Sequence, residues 1–508
     1  MLAAPKDKKR RKGFAIIYVA LIGAFVLIPM AGLAVDFGVV YNVKARLQTA
    51  CDAAAIGAGY LLHATTNLSN QTQYNTVINT AQQFFNANYG TSYMGSTIAS
   101  YNAVATSSTS GKTITVNATA TVPMLFMRVL GIAHSTVAAE AVSNVRYIAM
   151  MIVVDRSESV VIESGAETAI TDALNTFVAD SSTSFLVNGV DTVGMVSFGM
   201  TWRLDFSPST KFQSGQSSTI GTAITNIPFG ADGGTNTAEG LYQAWYQLYQ
   251  IGQPGALNVI VLLTDGRPTA FTGNFTPTGS TTCKSKVQRS GVLFNSPDLG
   301  SYPFWPPPTS PNSSWGLFST QYSGSPEESY LSANSTNCYY SGSGNYVNVY
   351  KDFSSTFPSS VGPVDNVGSG TGYPTGFSTP GTGISTQTGY YNAPGTSMTD
   401  PRSVRYASFN VADNIATLIR KDTTLSPMMF VIGLNYTGTS TEPLDADWLA
   451  HLANDPTYVT VGSDTNVVAA GHSVYQSGQT TGMYCNSTKS TLSTCFSDVT
   501  SALLRLIQ

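Results

Sequence analysis

The sequence predicts an α/β protein in three parts: an N-terminal transmembrane helix, a small membrane-proximal α+β domain, and a doubly wound, Rossmann-like α/β domain with a long insertion. Three observations carry that expectation. Ile148–Val154 (IAMMIVV) is an unbroken apolar run of strand length that ends abruptly at Asp155, and Asn258–Leu263 (NVIVLL) is a second run of the same kind, as parallel strands buried on both faces should be. Strand and helix patterns alternate around them through residues 146–508. A third apolar run, Phe14–Val35, spans about 22 residues, enough to cross a bilayer as a helix.

Lys6, Lys8, Lys9, Arg10, Arg11 and Lys12 form a basic cluster within residues 1–13, directly before that run. Positive residues stay cytoplasmic, so the rest of the chain is expected outside the inner membrane, held by a single pass. A cleaved secretory signal is the rival reading. Residues 14–35 are longer than a usual signal core, lack a clear A-x-A site and run on in helical fashion. Pro29 is expected to kink the span without ending it. The continuation Gly32–Leu62 is Ala- and Gly-rich and carries Asp36, Lys44, Arg46 and Asp52. Its small residues let it lie close against another surface.

This stretch resembles the N-terminal region of TadG-like proteins of the tight-adherence (Flp-type) pilus assembly system. Their pattern is an apolar span, then G-L-A-V-D, L-Q and an Ala-rich D-A-A-A segment; here these are Gly32–Asp36, Leu47-Gln48 and Asp52–Ala55. Cys51 stands where the family usually has Ala and is expected to be a small packed residue, not a reactive thiol. Gly13-Phe14 is similar to a prepilin-type cleavage point, but Tyr18 replaces the usual Glu, which argues against processing.

Residues 36–145 are expected to form the small α+β domain. A helix over 71–88 places Val77, Ile78, Ala81, Phe84 and Phe85 on one side. Strands follow at Ser96–Ala105, Lys112–Val122 and Ser135–Val145, with a short helix over Pro123–Leu130 and His134 in a turn.

Charged residues are 11% of the chain, well under the usual quarter or so of a soluble domain. The net charge of −4, with no basic face beyond the N-terminus, argues against nucleic-acid binding. The five cysteines include no C-x-x-C pair. In an exported chain the expected pairs are Cys283 with Cys338 and Cys485 with Cys495, although sequence does not fix connectivity.

Within 146–508, a helix is expected at 160–179, a strand at Val190–Phe198 and an edge strand at Trp202–Phe206. Helices at 217–226 and 235–250 precede the Asn258–Leu263 strand. After the insertion come a helix at 404–421, a strand at Met428–Leu434, a helix at 444–454, a short strand at Tyr458–Val461 and a closing helix at 491–507. The insertion, about 267–403, shows neither period and is rich in Ser, Gly, Pro and Tyr. It springs from the carboxyl edge of the sheet, so it is expected to crown whatever binds there; a linker-like excursion is the equal alternative.

Three oxygen-bearing clusters fall at functional positions. Asp155, Ser157 and Ser159 follow the first strand, Gly233-Gly234-Thr235-Asn236-Thr237 opens a helix, and Thr264-Asp265-Gly266 ends the second strand. In open α/β sheets that edge is where ligands bind. Two carboxylates and three hydroxyls, without Cys or His, suit a hard cation: Mg²⁺, Mn²⁺ or Ca²⁺. The plain alternative makes the same residues helix caps and turn formers.

The ordered set D-x-S-x-S, Thr, Asp resembles the von Willebrand factor A-type (VWA) domain with its metal-ion-dependent adhesion site. The resemblance assigns Asp155, Ser157, Ser159, Thr235 and Asp265 as direct or water-mediated metal ligands. It further implies a partner protein offering a carboxylate to the ion, and coupling to the final helix. Glu158 and Val160 stand where the family usually has Gly and Met, so Glu158 is expected to crowd or charge the site. The partner class implied is a pilus or secretion-system component, or a surface ligand.

The leading expectation is thus a non-enzymatic, membrane-anchored, divalent-dependent adhesion or pilus-assembly protein. An exported metal-assisted hydrolase and a metal-free structural envelope protein remain the alternatives. His63, His134, His451 and His472 are widely scattered, and no G-x-S-x-G, H-E-x-x-H or S-x-x-K motif occurs.

Overall fold

The computed structural model describes residues 12–275 except 183, 216 and 232, then 289–295, 314–318, 357, 385, 386, 389, 401–435, 444–460 and 473–507. The chain divides into two compact units, one ending at Val145 and the other spanning Arg146–Ile507.

The N-terminal unit is built on one helical rod: α1 (Lys12–Ile22), a π-helical turn at Gly23–Leu27, and α2 (Ile28–Ala64). Pro29 has no N–H to give and its ring crowds the preceding turn, so a widened π turn carries the helix past it. Val19, Phe25 and Met30 on the early part of the rod are exposed, whereas Val43, Leu47, Ala50, Cys51, Ala54 and Ala58 are fully buried. Cys51 is a packed free thiol, as its surroundings in the sequence suggested, and burial pushes it up to about 11.

Helix α3 (Gln71–Tyr89) starts at Asn70, whose side chain accepts from the N–H groups of Thr72 and Gln73. It buries Val77, Ala81, Phe85 and Tyr89. Phe84, expected on the inner face, is 43% exposed, because its ring lies over Gly57 at the edge of the α2 contact. Strands β1 (Thr97–Ser107), β2 (Gly111–Pro123) and β3 (His134–Arg146) form a sheet in that order. Residues along β2 and β3 alternate between a buried inner face and a more exposed outer one, and the sheet packs against α2 and α3. His134 opens β3 and does not sit in a turn.

Two charged side chains fasten α2. Buried Lys112 donates from Nζ to the carbonyls of Leu62, His63 and Thr65, satisfying the orphan acceptors of a helix C-terminus. Near the other end, Asp36 accepts from the backbone N–H groups of Leu125, Phe126 and Met127 at 2.9, 2.9 and 2.7 Å. Burial works to raise the Asp36 pKa, but the three N–H bonds together bring it below the ordinary carboxyl value.

The C-terminal unit is a three-layer α/β domain. Its sheet uses β4 (Ile148–Asp155), β5 (Thr192–Phe198), β6 (Trp202–Ser209), β7 (Leu257–Thr264), β11 (Met428–Leu434) and β12 (Met483–Ser487), in the order β12-β11-β7-β4-β5-β6. All neighbours run parallel except β6, which pairs antiparallel with β5 at the edge. Every residue of β4, β5 and β7 is buried, which explains the apolar runs at β4 and β7.

The expected 160–179 helix is broken into α4 (Glu158–Ile162), α5 (Ala166–Leu174) and a π-helical turn at Asn175–Ala179. Gly165, at φ 82°, turns the chain between the first two. Helices α6 (Ile220–Thr225) and α7 (Thr237–Ile251) follow. A Cβ on Gly240 would stand 2.6 Å from the Phe198 ring, so α7 lies closer to the sheet than any other residue there would permit.

The insertion is not wholly aperiodic. Strands β8 (Ala270–Phe275), β9 (Arg289–Asn295) and β10 (Ser314–Phe318) form an antiparallel sheet, and Phe271 and Leu293 join the main core. Cys283, Cys338 and most of residues 319–400 lie outside the described residues. The chain then returns through α8 (Pro401–Arg420), β11, α9 (Ala446–Ala453), β12 and α10 (Leu492–Ile507). The strand expected at Tyr458–Val461 is absent over its described part, 458–460; β12 is the edge strand instead. Its polar sequence, MYCNS, hides the signal, because an edge strand buries less of itself. Cys485 on β12 is bonded to Cys495 in α10.

Candidate metal and adhesion site

The sheet order places β4 and β7 side by side at the switch point, where the chain first winds outward through β5 and β6 and then returns to begin the other half. Their carboxyl ends therefore open a crevice between them. Register sets Val154 opposite Leu263, so Asp155 and Thr264 end the two strands together. Thr264 donates from Oγ1 to Asp155 Oδ2 at 2.6 Å, and the other carboxylate oxygen accepts from the Ser157 N–H at 3.0 Å.

The remaining donors converge on the same edge. Ser157 Oγ and Ser159 Oγ are 2.9 Å apart, and Ser159 donates to Asp265 Oδ1 at 3.1 Å. A Cβ on Gly266 would lie 3.7 Å from Ser159 Oγ and 4.0 Å from Thr235 Oγ1, so both hydroxyls border the same glycine. Ser157, Ser159, Thr235 and Asp265 thus gather at one edge, with Asp155 bonded beside them through Thr264 and the Ser157 N–H; Asp155, Ser157, Thr235 and Asp265 are buried and Ser159 half-buried. Neighbouring ligands of a six-coordinate ion with bonds of about 2.1 Å stand about 3 Å apart, so the hydroxyl and carboxylate spacings fit such an ion. The described residues contain no cluster of three or more His, Cys, Asp and Glu, as a set of two carboxylates and three hydroxyls would give.

Neighbours that the motif does not announce hold this edge. Arg156 is fully buried and donates from Nη2 to the carbonyl and Oγ1 of Thr201, both at 3.0 Å, while its carbonyl accepts from the Gly230 N–H. The D-x-S-x-S loop is thereby tied to the β5–β6 turn and to the loop before α7. Thr235 donates its N–H to Thr269 Oγ1 at 2.8 Å and accepts from the N–H groups of Thr269 and Ala270. Beside it, Asn236 caps α7 and donates to Thr272 Oγ1, which in turn donates to Glu239 Oε2 at 2.7 Å. The root of the insertion therefore clamps the Thr235 loop. Asn236 and Thr264 stand within stretches read from the sequence; the ties through Arg156, Thr269, Thr272 and Glu239 needed contacts over 30 or more residues.

Glu158 does not enter the donor cluster's hydrogen bonds described above. Its Oε2 lies 3.4 Å from the position of a Cβ on Gly233, so the carboxylate borders the glycine turn ahead of Thr235. It adds negative charge at the rim.

The histidines give the hydrolytic alternative little support. His451 is fully buried, 2.7 Å from Asp413 through Nε2, with Nδ1 against the carbonyls of Ser473 and Val474. It fastens α9 to α8. His63 is buried, His134 is exposed on β3, and His472 lies outside the described residues.

The fold and this edge define a VWA-type domain, and the model of the von Willebrand factor type A domain matches residues 150–300. The Flp pilus-assembly TadE/G-like family model matches residues 13–61. A Tad-like segment joined to a VWA domain supports a pilus-associated adhesion role. Among curated proteins no match was found. Solved structures with similarity include the PilB minor pilin from Streptococcus sanguinis, at 16% identity and TM-score 0.33, covering 82% of this chain and 80% of that one. The vWF domain of the type V pili tip protein Mfa5 from Porphyromonas gingivalis matches at 13% identity and TM-score 0.33, covering 72% of this chain and 98% of that one. The pilus adhesin SpaC from Lactobacillus rhamnosus GG matches at 13% identity and TM-score 0.32, covering 80% of this chain and 34% of that one. Likeness at this level carries no function across.

Proposed function

We propose that this chain is a membrane-anchored adhesion or pilus-assembly protein whose VWA domain binds a partner through a divalent cation. Asp155, Ser157, Ser159, Thr235 and Asp265 would hold the ion directly or through water, with Mg²⁺, Mn²⁺ or Ca²⁺ as the candidates. The observation that carries the reading is the chain of contacts Ser157–Ser159–Asp265 at the β4/β7 switch point, with Thr235 bordering the same glycine. When bound, the ion would supply an electrophilic point for an oxygen ligand. Two carboxylates against a divalent ion leave the set without surplus negative charge, so a carboxylate from a partner protein is the ligand it favours. The partner class is a pilus or secretion-system component or a surface ligand, and the role is binding, not catalysis. The apolar rod at the N-terminus would cross the bacterial inner membrane once, its basic end cytoplasmic and both folded units outside.

Titration calorimetry of the full chain in detergent with each of the three ions tests the site. One ion per chain is expected, with binding lost in Asp155→Ala while the circular dichroism spectrum is kept. No heat of binding with any ion would leave the metal-free structural reading standing. A cross-linked pull-down from envelope fractions, with and without chelator, then reads whether partner capture needs the ion.

A further inference from the structure

The segment Leu125–Ile132 is an apolar loop with its large side chains turned outward. Val129 is 86% exposed, Leu130 68% and Leu125 63%, with Phe126 and Ile132 also exposed. The loop is not slack. A single 3₁₀ turn, Met127–Leu130, is closed by Gly131 in the left-handed conformation, and the Ile132 N–H bonds back to the Met127 carbonyl. Asp36 grips its start through three backbone N–H groups, as described above. A rigid loop that leaves five large apolar side chains uncovered needs an apolar surface to meet.

Its position along the rod says which surface. A Cβ on Gly32 would stand 2.5 Å from the Phe126 ring, so the loop touches the rod at Gly32 and is bonded to it at Asp36. Those positions mark the outer end of the apolar run Phe14–Val35. Directly beyond Asp36, Phe37 and Tyr41 are exposed and, four residues apart, share a face with each other, as interfacial aromatic residues do. Exposed Arg128 adds a positive charge within the loop.

We propose that Leu125–Ile132 is a second membrane contact, a loop that inserts into the headgroup and upper acyl region of the outer leaflet, with Asp36 as its positioning residue. The occupant is lipid, because the loop continues the apolar surface of the rod at the depth where that surface ends. Arg128 would reach anionic phosphate headgroups. A rod alone can tilt and spin in a bilayer; a rod with a lateral foot fixes the orientation of the sheet that stands on it. This inference rests on the rod being a membrane anchor.

The test uses the full chain reconstituted in phosphatidylethanolamine–phosphatidylglycerol vesicles. A nitroxide is placed at 129, at 19 in the middle of the apolar run, or at 142 on the outer face of β3, through a ketone-bearing amino acid that spares the cysteines. Power saturation with oxygen and with a water-soluble nickel chelate reads depth. Expected is an oxygen-to-nickel accessibility ratio at 129 at least about threefold above that at 142, and below that at 19. A ratio at 129 equal to that at 142, with 19 deep, overturns the foot and leaves the anchor intact. Exclusion of both reagents at 129 means a protein covers the loop, which also overturns the proposal. A water-exposed label at 19 removes the anchor and the foot together.

Discussion

Two apolar runs of this chain meet opposite fates. From Ile16 to Met30 the rod carries side chains such as Val19 and Phe25 that nothing in its unit covers, whereas every residue of β4 has neighbours on both faces. Hydrophobicity does not separate them; backbone chemistry does. A helix satisfies its own N–H and C=O groups and can stand alone in lipid. A strand satisfies none of them alone, so β4 exists only between β5 and β7. The first run is an element looking for a solvent, the second the element a core is built around.

The sharpest way to break this comparison is one charge in each run. Ile152→Asp places a carboxylate where no water reaches and should cost more than about 4 kcal/mol, enough to abolish cooperative melting of the VWA domain. Val19→Asp should leave that melting transition in place while reducing membrane retention in fractionated cells. If both substitutions unfold the domain, the two runs are not the different things described here.

The next effect is of pH. Burial raises Asp205, on the edge strand β6, to about 6 from 3.8, although Ser197, Arg203 and Arg156 oppose the shift. The folded state therefore holds its proton more tightly than the unfolded chain between about pH 4 and pH 6. Stability contributed by that protonated carboxyl falls as pH rises through this window, by about 2–3 kcal/mol in all. Asp205→Asn should flatten the slope of Tm against pH between 4 and 6 and raise Tm at pH 7. A wild-type slope that Asp205→Asn leaves untouched assigns the titration elsewhere.

Edge strands depend on what fastens them. The Cys485–Cys495 bridge ties β12 to α10 across 10 residues, and its reduction should cost about 2–3 kcal/mol, read as a lower Tm in dithiothreitol. We further expect reduction to change the divalent-dependent affinity for a partner, since the bridge restrains the final helix; unchanged affinity would refute that coupling. The smallest effect belongs to Cys51. Packed against the β-sheet and raised to about 11, its thiol should resist iodoacetamide at pH 8 in the folded chain and react fully in urea.

Sequence determined much of this protein where local pattern and burial coincide. The runs at 148–155 and 258–263, the period of α3, the alternation in β2 and the apolar length of 14–35 each declare an element, because one or two faces of it must leave water. That the ligand candidates would gather at one sheet edge was legible too, since two of the three stretches end buried strands there. Only tertiary structure decided the rest. β12 is polar and became a strand because β11 offered an open edge. The 160–179 helix broke at Gly165, and the insertion's β8–β10 sheet is stitched by pairing between segments with weak patterns of their own. Arg156, Thr269 and Glu239 matter through partners dozens of residues away, and the loop at 125–132 acquired its meaning from Gly32 and Asp36, ninety or so residues earlier. Long-range hydrogen bonds and close approaches leave no period in a sequence, which is why the fold had to bring them together before they could be read.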